Sequence, residues 1–228
     1  MSKSKKAQHD GFEAVEEALT KTEQYIEENR KSLTIIILAI VVVVGGFLAY
    51  KNLLLEPKEG KAQSDMFMAE KYFEQDSFRL ALEGDGVYAP GFLDIIDDYA
   101  GTKTANLAKY YAGISYLRLG EFEDAIDFLE DFDGNDRMVS IVALGATGDA
   151  YSELGEYEKA ATFYEKASGL NENELLTPIY LFKAGLVYEE MGNSKKALDN
   201  YKKIKSDYPN SEEGKTIDRY IAAIEAQQ

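Results

Sequence analysis

The residues best suited to chemistry lie in one short acidic stretch, EDFDGND, at positions 130–136. Its oxygen-bearing side chains are spaced like the first ligands of a calcium-binding loop; they are Asp131, Asp133, Asn135 and Asp136. Such a loop needs glycine at the position of Asp136 and glutamate at the position of Val142, and the sequence has neither. Asp, Gly and Asn are also common in tight turns. We therefore expect a turn here, and no metal site.

Catalytic chemistry has little support elsewhere in the chain. There is no cysteine, and the single histidine, His9, lies in a polar N-terminal tail. These counts exclude disulfides, thiolate metal ligands and cysteine nucleophiles, and they leave almost nothing for general-base chemistry. The sequence has neither a Gly-x-Ser-x-Gly motif nor a phosphate-binding loop. We expect a protein that is not an enzyme, with no cofactor and no small-molecule substrate.

The charge of the chain is strongly acidic and unevenly distributed. The 228 residues include 41 acidic and 25 basic side chains, a net charge of −16. Residues 1–31 are almost neutral, with seven acidic and six basic side chains, whereas residues 52–228 carry 34 acidic and 18 basic ones. Because a surface this acidic repels phosphate backbones, we expect no nucleic-acid binding.

An apolar segment divides the chain. Residues 33–50, LTIIILAIVVVVGGFLAY, contain no charged side chain, and a helix of this length is roughly 27 Å long, close to the thickness of a bilayer core. The segment follows the polar residues 1–31, and no small-x-small cleavage site comes after it, which argues against a cleaved signal peptide. We predict a transmembrane signal anchor over 32–55 and a linker, containing Pro57 and Gly60, over 56–61.

Residues 1–31 form a tail before the span. A stripe of apolar side chains at helical intervals, Phe12, Val15, Leu19 and Ile26, predicts an amphipathic helix over 10–31. Such a helix could rest on the membrane surface or bind a partner protein, and the sequence leaves both open. The basic residues close to the two ends of the span balance, but the additional lysines of the tail favour a cytosolic N-terminus and an external C-terminal domain.

Three segments after the span, 110–132, 143–167 and 181–204, share one pattern at spacings of 35 and 37 residues. In each segment a glycine is followed three residues later by tyrosine, four further on by a second glycine, and five beyond that by alanine. The positions are Gly113, Tyr116, Gly120 and Ala125; Gly148, Tyr151, Gly155 and Ala160; and Gly185, Tyr188, Gly192 and Ala197.

Each position of this pattern has a packing reason. The first glycine and the alanine leave room for two helices to cross closely, and the tyrosine is large enough to fill the gap between them. The second glycine ends the first helix because it adopts positive φ at little cost. The pattern therefore predicts pairs of helices.

The pattern resembles the tetratricopeptide repeat, a helix–turn–helix unit of about 34 residues. The resemblance covers 106–209 and implies an all-α solenoid. A degenerate first repeat over 62–105 has Asp76 where the turn glycine would stand, and it contains an inserted Gly-rich loop at 83–91. Residues 210–228 are expected to form a capping helix with Ile217, Ile221 and Ile224 turned inward, because an uncapped solenoid exposes its core.

The resemblance also implies a concave groove, lined by the first helix of each repeat, that binds segments of other proteins. Alignment places apolar residues there: Leu107, Tyr110, Ile114, Val142, Ile179, Phe182 and Leu186. Each repeat has four aligned positions, and the last of them is Arg118, Glu153 or Glu190. Gly145 and Asp149 are the other inward-facing residues of the second repeat. A clamp for chaperone carboxylates would need Lys, Arg and Asn, which are mostly absent. The lining could hold an apolar or basic–apolar segment, or pack on the protein itself.

A short tail, one span and a degenerate repeat followed by three clearer ones resemble a bacterial family, the single-pass tetratricopeptide ancillary subunit of the Sec translocon, and its relatives in the Bacteroidetes. The segments FLDIIDDYAGTKTANLAKYYAG and YPNSEEGKTIDRYIAAIEA carry this resemblance. It implies an inner-membrane protein with periplasmic repeats that meet translocating clients or a membrane-anchored chaperone beside the translocon. A structural scaffold for envelope assembly or division with one fixed partner, and a cytosol-facing adaptor, remain the alternatives.

Overall fold

The computed structural model describes residues 2–134 and 136–226, with side chains from residue 25 onward. Residue contacts divide the chain into two units, Met1–Pro57 and Lys58–Gln228. The side chains of His9 and of the predicted stripe residues Phe12, Val15 and Leu19 lie outside the described part. Asn135 also lies outside it.

The first unit consists of helix α1, Ser2–Tyr50, followed by a π-helical turn, Lys51–Leu55. The backbone of the polar tail thus continues as one helix into the apolar segment, because no Pro or Gly interrupts it between Phe12 and Val44. The large apolar side chains from Ile35 to Phe47 are all 50–70% exposed. With a mean hydropathy of 2.8 over its best 18 residues, this helix is long and apolar enough to cross a membrane.

The linker predicted at 56–61 is helical instead. Helix α2, Glu56–Glu74, begins there and includes both Pro57 and Gly60. The π-helical turn Lys51–Leu55 leads directly into α2, with the Glu56 N–H bonded to the Lys51 carbonyl, so Pro57 removes one backbone donor from a helix that continues through it. The division of contacts between Pro57 and Lys58 falls within the same segment, but it does not coincide with a break in the helix.

The second unit is a row of helices in which each packs on the next, and no strand occurs among its described residues. This confirms the predicted all-α class. After α2 come α3 Phe78–Glu83, α4 Phe92–Asp98, α5 Lys103–Leu119, α6 Phe122–Glu130, α7 Arg137–Glu153, α8 Tyr157–Leu170, α9 Leu176–Glu190, α10 Ser194–Asp207, α11 Glu212–Thr216 and α12 Asp218–Glu225.

The same turn ends the first helix of four successive helix pairs. In three of them the turn residue is a glycine with positive φ: Gly120 at 79°, Gly155 at 74° and Gly192 at 68°. The next residue donates its N–H to the carbonyl of the tyrosine five residues back, at 2.8–3.0 Å. In the first pair Asp76, at φ 55°, replaces the glycine, and Ser77 donates to Tyr72 at 2.9 Å. The first pair, α2–α3, therefore has the turn of a true repeat.

The first glycine of each repeat lies against a large side chain of the second helix. A methyl group at Gly113 would come within 2.5 Å of Leu129, one at Gly148 within 2.7 Å of Tyr164, and one at Gly185 within 2.1 Å of Tyr201. The alanines Ala125, Ala160 and Ala197 are fully buried beside them. The tyrosines at the second pattern position lie elsewhere in the interface: Tyr116 stacks on Phe128 and Tyr151 on Phe163.

Helices α11 and α12 cover the end of the row. Ile217, Ile221 and Ile224 are buried and belong to the same apolar cluster as the cores of α8, α9 and α10. Ser211 begins α11 as its N-cap, where its hydroxyl accepts a hydrogen bond from Gly214 N at 2.9 Å. The inward-facing isoleucines therefore close the apolar interior of the last repeat.

Candidate partner-binding groove

The direction in which the row curves follows from which helices touch. The first helices of successive repeats contact one another, α5 with α7 and α7 with α9. Within the described residues the second helices do not, since α6 and α8 make no contact and neither do α8 and α10. A row whose members are closer on one side must curve towards that side. The inner face is therefore formed by α5, α7 and α9, and we call it the groove.

Most of the groove residues predicted from the alignment are half-buried. Leu186 is 38% exposed, and the other six have intermediate accessibility. Tyr110 and Ile114 pack on the cluster that contains Leu129 and Ala143, and Ile179 packs on the core of α8–α10. The side chains thus form a floor whose outer atoms remain accessible.

The packing of Phe182 favours the self-filled alternative. Its ring lies 4.9 Å from that of Tyr220 in α12 and 5.9 Å from that of Tyr201, measured between centroids. The capping helix occupies the place where a further repeat would begin, so Phe182 forms part of the interface with the cap. Tyr110 also has an aromatic neighbour, since its ring centroid lies 5.7 Å from that of Phe132.

The centre of the groove contains a residue that the sequence analysis missed, Tyr180. Its ring lies directly over Gly145, where a methyl group would come within 2.0 Å of it. Tyr180 is 6% exposed, and its hydroxyl has no hydrogen-bond partner among the described residues. Burial, together with the nearby charge of Asp149, raises the pKa of Tyr180 to about 12. Gly145 is therefore covered, while the Tyr180 hydroxyl is left for water or a ligand.

An ion pair links the groove helices α7 and α9. The Lys183 ammonium donates to both carboxylate oxygens of Asp149 at 2.7 Å, and the Tyr164 hydroxyl donates to the same carboxylate at 2.7 Å. The ammonium also lies about 6 Å from the centroids of the Tyr164 and Tyr180 rings, at 5.8 and 5.9 Å. Burial and the Asp149 charge raise the pKa of Tyr164 well above its usual range. The pair fixes Asp149 and leaves it electrically compensated.

The carboxyl-terminal edge of the groove carries carboxylates without such compensation. Glu153 and Glu190 end α7 and α9, are exposed, and have no ion-pair partner among the described residues. Arg118, the third residue at this register, lies 3.8 Å from Asp76. An open cleft of about 640 Å³ lies beside Glu153 and includes Leu117, Asp149 and Lys183 in its lining.

The amino-terminal edge exposes apolar side chains next to charged ones such as Lys103, Asp133 and Asp136. Met138 and Leu175, near the starts of α7 and α9, are 45% and 65% exposed. Leu107 and Phe132 line a second open cleft of about 1120 Å³ between α4, α5 and the start of α7. The alignment overlooked Met138 and Leu175 because they lie one turn before the repeat pattern begins. An apolar residue four positions before Val142 and before Ile179 was the available signal.

The stretch that mimics a calcium loop has structural roles. The Asp136 carboxylate caps α7 by accepting hydrogen bonds from Met138 N at 2.8 Å and Val139 N at 3.0 Å. Asp131 pairs with Lys109 at 2.5 Å, and the backbone of Asp133 exchanges two hydrogen bonds with the Asn106 side chain. These bonds join the turn between two repeats to α5, as turn chemistry predicts.

Comparison with known families supports the repeat assignment. One family model described as tetratricopeptide repeat matches residues 107–133 and 180–211, and a second model of that description matches 143–174. The three matches coincide with the three repeats read from the glycine spacing. No curated protein matches the chain. Tetratricopeptide repeats are modules for protein–protein interaction and are generally non-enzymatic.

Proposed function

We propose that this chain is a membrane-anchored adaptor that binds segments of partner proteins in the groove of its repeat array. The observation that supports the proposal is the apolar floor on the inner face, where one of the seven aligned residues is exposed and six are partly accessible. Exposed apolar surface of this kind is typical of binding sites. The apolar helix in the same chain would confine the groove to a membrane surface and raise its effective concentration there.

The finer proposal concerns place and partner. We propose that the repeats lie on the periplasmic side of a bacterial inner membrane, beside the Sec translocon, where they meet emerging clients or a membrane-anchored chaperone. The order of tail, span, degenerate repeat and three clear repeats supports this proposal. Gentle detergent extraction after crosslinking should recover translocon components with the chain, and their absence would count against it. An enzyme reporter fused to the C-terminus would report the side directly.

The groove itself is tested by site-specific photo-crosslinking in cells. A photoreactive residue at Leu186, 38% exposed in the groove, should form adducts with a partner protein. The matched control is Leu170, which is 50% exposed on α8, a helix outside the groove. We expect adducts from position 186 and few from position 170. Equal adducts at both positions, or none at position 186, would contradict binding in the groove.

A further inference from the structure

The two edges of the groove differ in chemistry. The amino-terminal edge exposes Met138 and Leu175 beside the half-buried Leu107, Val142 and Ile179. All three groove helices run in the same sense along the row, so their carboxyl ends meet at the opposite edge. The unpaired carbonyls of helix C-termini favour cations. Apolar contact is thus available at one edge and cation binding at the other.

Three cations near the carboxyl edge lie beside carboxylates. Lys183 is paired with Asp149 at 2.7 Å, Arg79 with Glu121, and Arg118 lies 3.8 Å from Asp76. Glu153 and Glu190 therefore add uncompensated negative charge to that of the helix ends. The whole unit from residue 58 onward, with 33 acidic and 18 basic side chains, reinforces this field.

Building on the proposed function, we propose that the groove selects a basic amphipathic segment. Its apolar side chains lie on the floor formed by Leu107, Tyr110, Val142 and Ile179, and its Lys or Arg side chains reach Glu153 and Glu190. The hydroxyls of Tyr110 and Tyr180, which have no partner among the described residues, are available to the backbone of the segment. An acidic amphipathic segment has no cation for the carboxylates, and a basic segment without apolar side chains leaves the floor uncovered.

The dimensions of the groove set the length of the segment. Packed helices lie about 8–10 Å apart, so three of them span roughly 20 Å. An extended chain crosses that distance in about six residues, and a helix in about 13. A 15-residue peptide that lies across the groove is therefore long enough to contact all three helices in either conformation.

The full chain in nanodiscs of zwitterionic lipid is titrated into three fluorescent 15-residue peptides, with empty nanodiscs as the blank. One peptide combines Leu and Lys as an amphipathic helix, one replaces each Lys by Glu, and one replaces each Leu by Ser. We expect the Leu/Lys peptide to bind at least tenfold more tightly than either of the others. Equal or tighter binding of the Leu/Glu peptide overturns the inference, and so does equal binding of the Ser/Lys peptide.

Two double variants separate the groove carboxylates from bulk charge. Glu153→Lys with Glu190→Lys should weaken binding of the Leu/Lys peptide roughly tenfold, because charge reversal replaces two attractions by repulsions. Asp127→Lys with Asp199→Lys makes the same change of charge at exposed positions on α6 and α10, outside the groove. This variant should lower the affinity for the Leu/Lys peptide by less than about twofold. Equal weakening by both variants overturns the inference.

The outcome is distinguishable from a failure of the proposed function. If position 186 forms adducts with a partner protein whose crosslinked segment lacks Lys and Arg, the groove binds protein but the charge preference is overturned. If position 186 forms no adducts, the proposed function itself fails. Circular dichroism of each variant shows whether its helical content is intact before binding is measured.

Discussion

Asp76 is the residue at which the first repeat departs from the glycine pattern, and its conformation shows what the pattern requires. Among the described residues it is the only one other than glycine with positive φ. Its turn makes the same two backbone hydrogen bonds as the turns at Gly120, Gly155 and Gly192. The geometry of the turn is therefore shared, and only the residue that adopts it differs. Aspartate tolerates this region better than most residues but still at a cost.

Replacing Asp76 by glycine should stabilise the second unit. We expect a gain of about 0.5–1 kcal/mol, because the left-handed conformation is strained for aspartate and not for glycine. The exposed contact with Arg118, at 3.8 Å, is too weak to offset this gain. Thermal unfolding monitored by circular dichroism measures the effect. The reciprocal change, Gly120→Asp, should lower stability by a similar amount, and a loss in both variants would contradict the argument.

Glu59 caps the start of α5 from α2. Its carboxylate accepts hydrogen bonds from Lys103 N at 2.7 Å and from the Thr104 hydroxyl at 2.7 Å. Partial burial raises the pKa of Glu59, but the bonds from Thr104, Lys103 and Gln63 outweigh burial, so the pKa lies below its ordinary value near 4.5. A lowered pKa means that the carboxylate stabilises the fold above about pH 4.5 and that this contribution disappears as the pH falls further.

Glu59→Gln should therefore destabilise the chain in a pH-dependent way. At pH 7 we expect a loss of about 0.5–1 kcal/mol, the lower part of the range for a helix cap, because the group is largely exposed. The difference from the unchanged chain should shrink as the pH falls from 5 to 3. Chemical unfolding at several pH values tests this. A difference that stays constant across that range would show that the charge has no role.

At the scale of the elements, the spacing of glycine, tyrosine and alanine predicts the helices of the three repeats and their turns, because backbone conformation and close crossing depend on local residue types. The side chain that covers each first glycine was assigned less well. It is Leu129, Tyr164 or Tyr201, nine residues after the turn glycine, and not the tyrosine three residues after the first. Local spacing does not reveal which of two large side chains points across a helix pair.

Contacts between repeats were still harder to predict. The ring of Tyr180 covers Gly145 from the next repeat, so the space at this glycine is filled by a side chain 35 residues away. The helix through Pro57 was missed because proline was read as a break, although the π-helical turn before it continues directly into α2. These features depend on positions that no single repeat contains.

The close crossing within a repeat predicts opposite effects for two Gly→Ala changes. At Gly185 a methyl group would come within 2.1 Å of the Tyr201 ring, which is fully buried, so Gly185→Ala should cost roughly 1–3 kcal/mol. At Gly169, near the end of α8, a methyl group meets nothing within 4 Å, so Gly169→Ala should gain about 0.5–1 kcal/mol of helix stability. Denaturant unfolding compares the two. Similar effects at both sites would contradict the proposed crossing.

At the scale of the whole molecule, the charge and the apolar surface are arranged for different purposes. The net negative charge belongs to the residues after the apolar helix, and charge of this size favours solubility of a repeat unit with apolar side chains on its inner face. The interior is protected in another way, by α11 and α12 at one end of the row. Because each repeat contacts only its neighbours, the effect of losing that protection should be local.

The variant Ile217→Ala tests whether the cap protects the last repeat in this local way. Ile217 is fully buried between the cap and α8–α10, so the cavity should cost about 2–4 kcal/mol. Hydrogen exchange should accelerate in α9 and α10, next to the cap, while α5 and α6 keep their protection, since stability in a repeat array is transmitted mainly between neighbours. Ala223→Ser, at an exposed position of α12, is the control and should leave exchange unchanged. Uniform acceleration from α5 to α10 would instead show that the row unfolds as one cooperative unit.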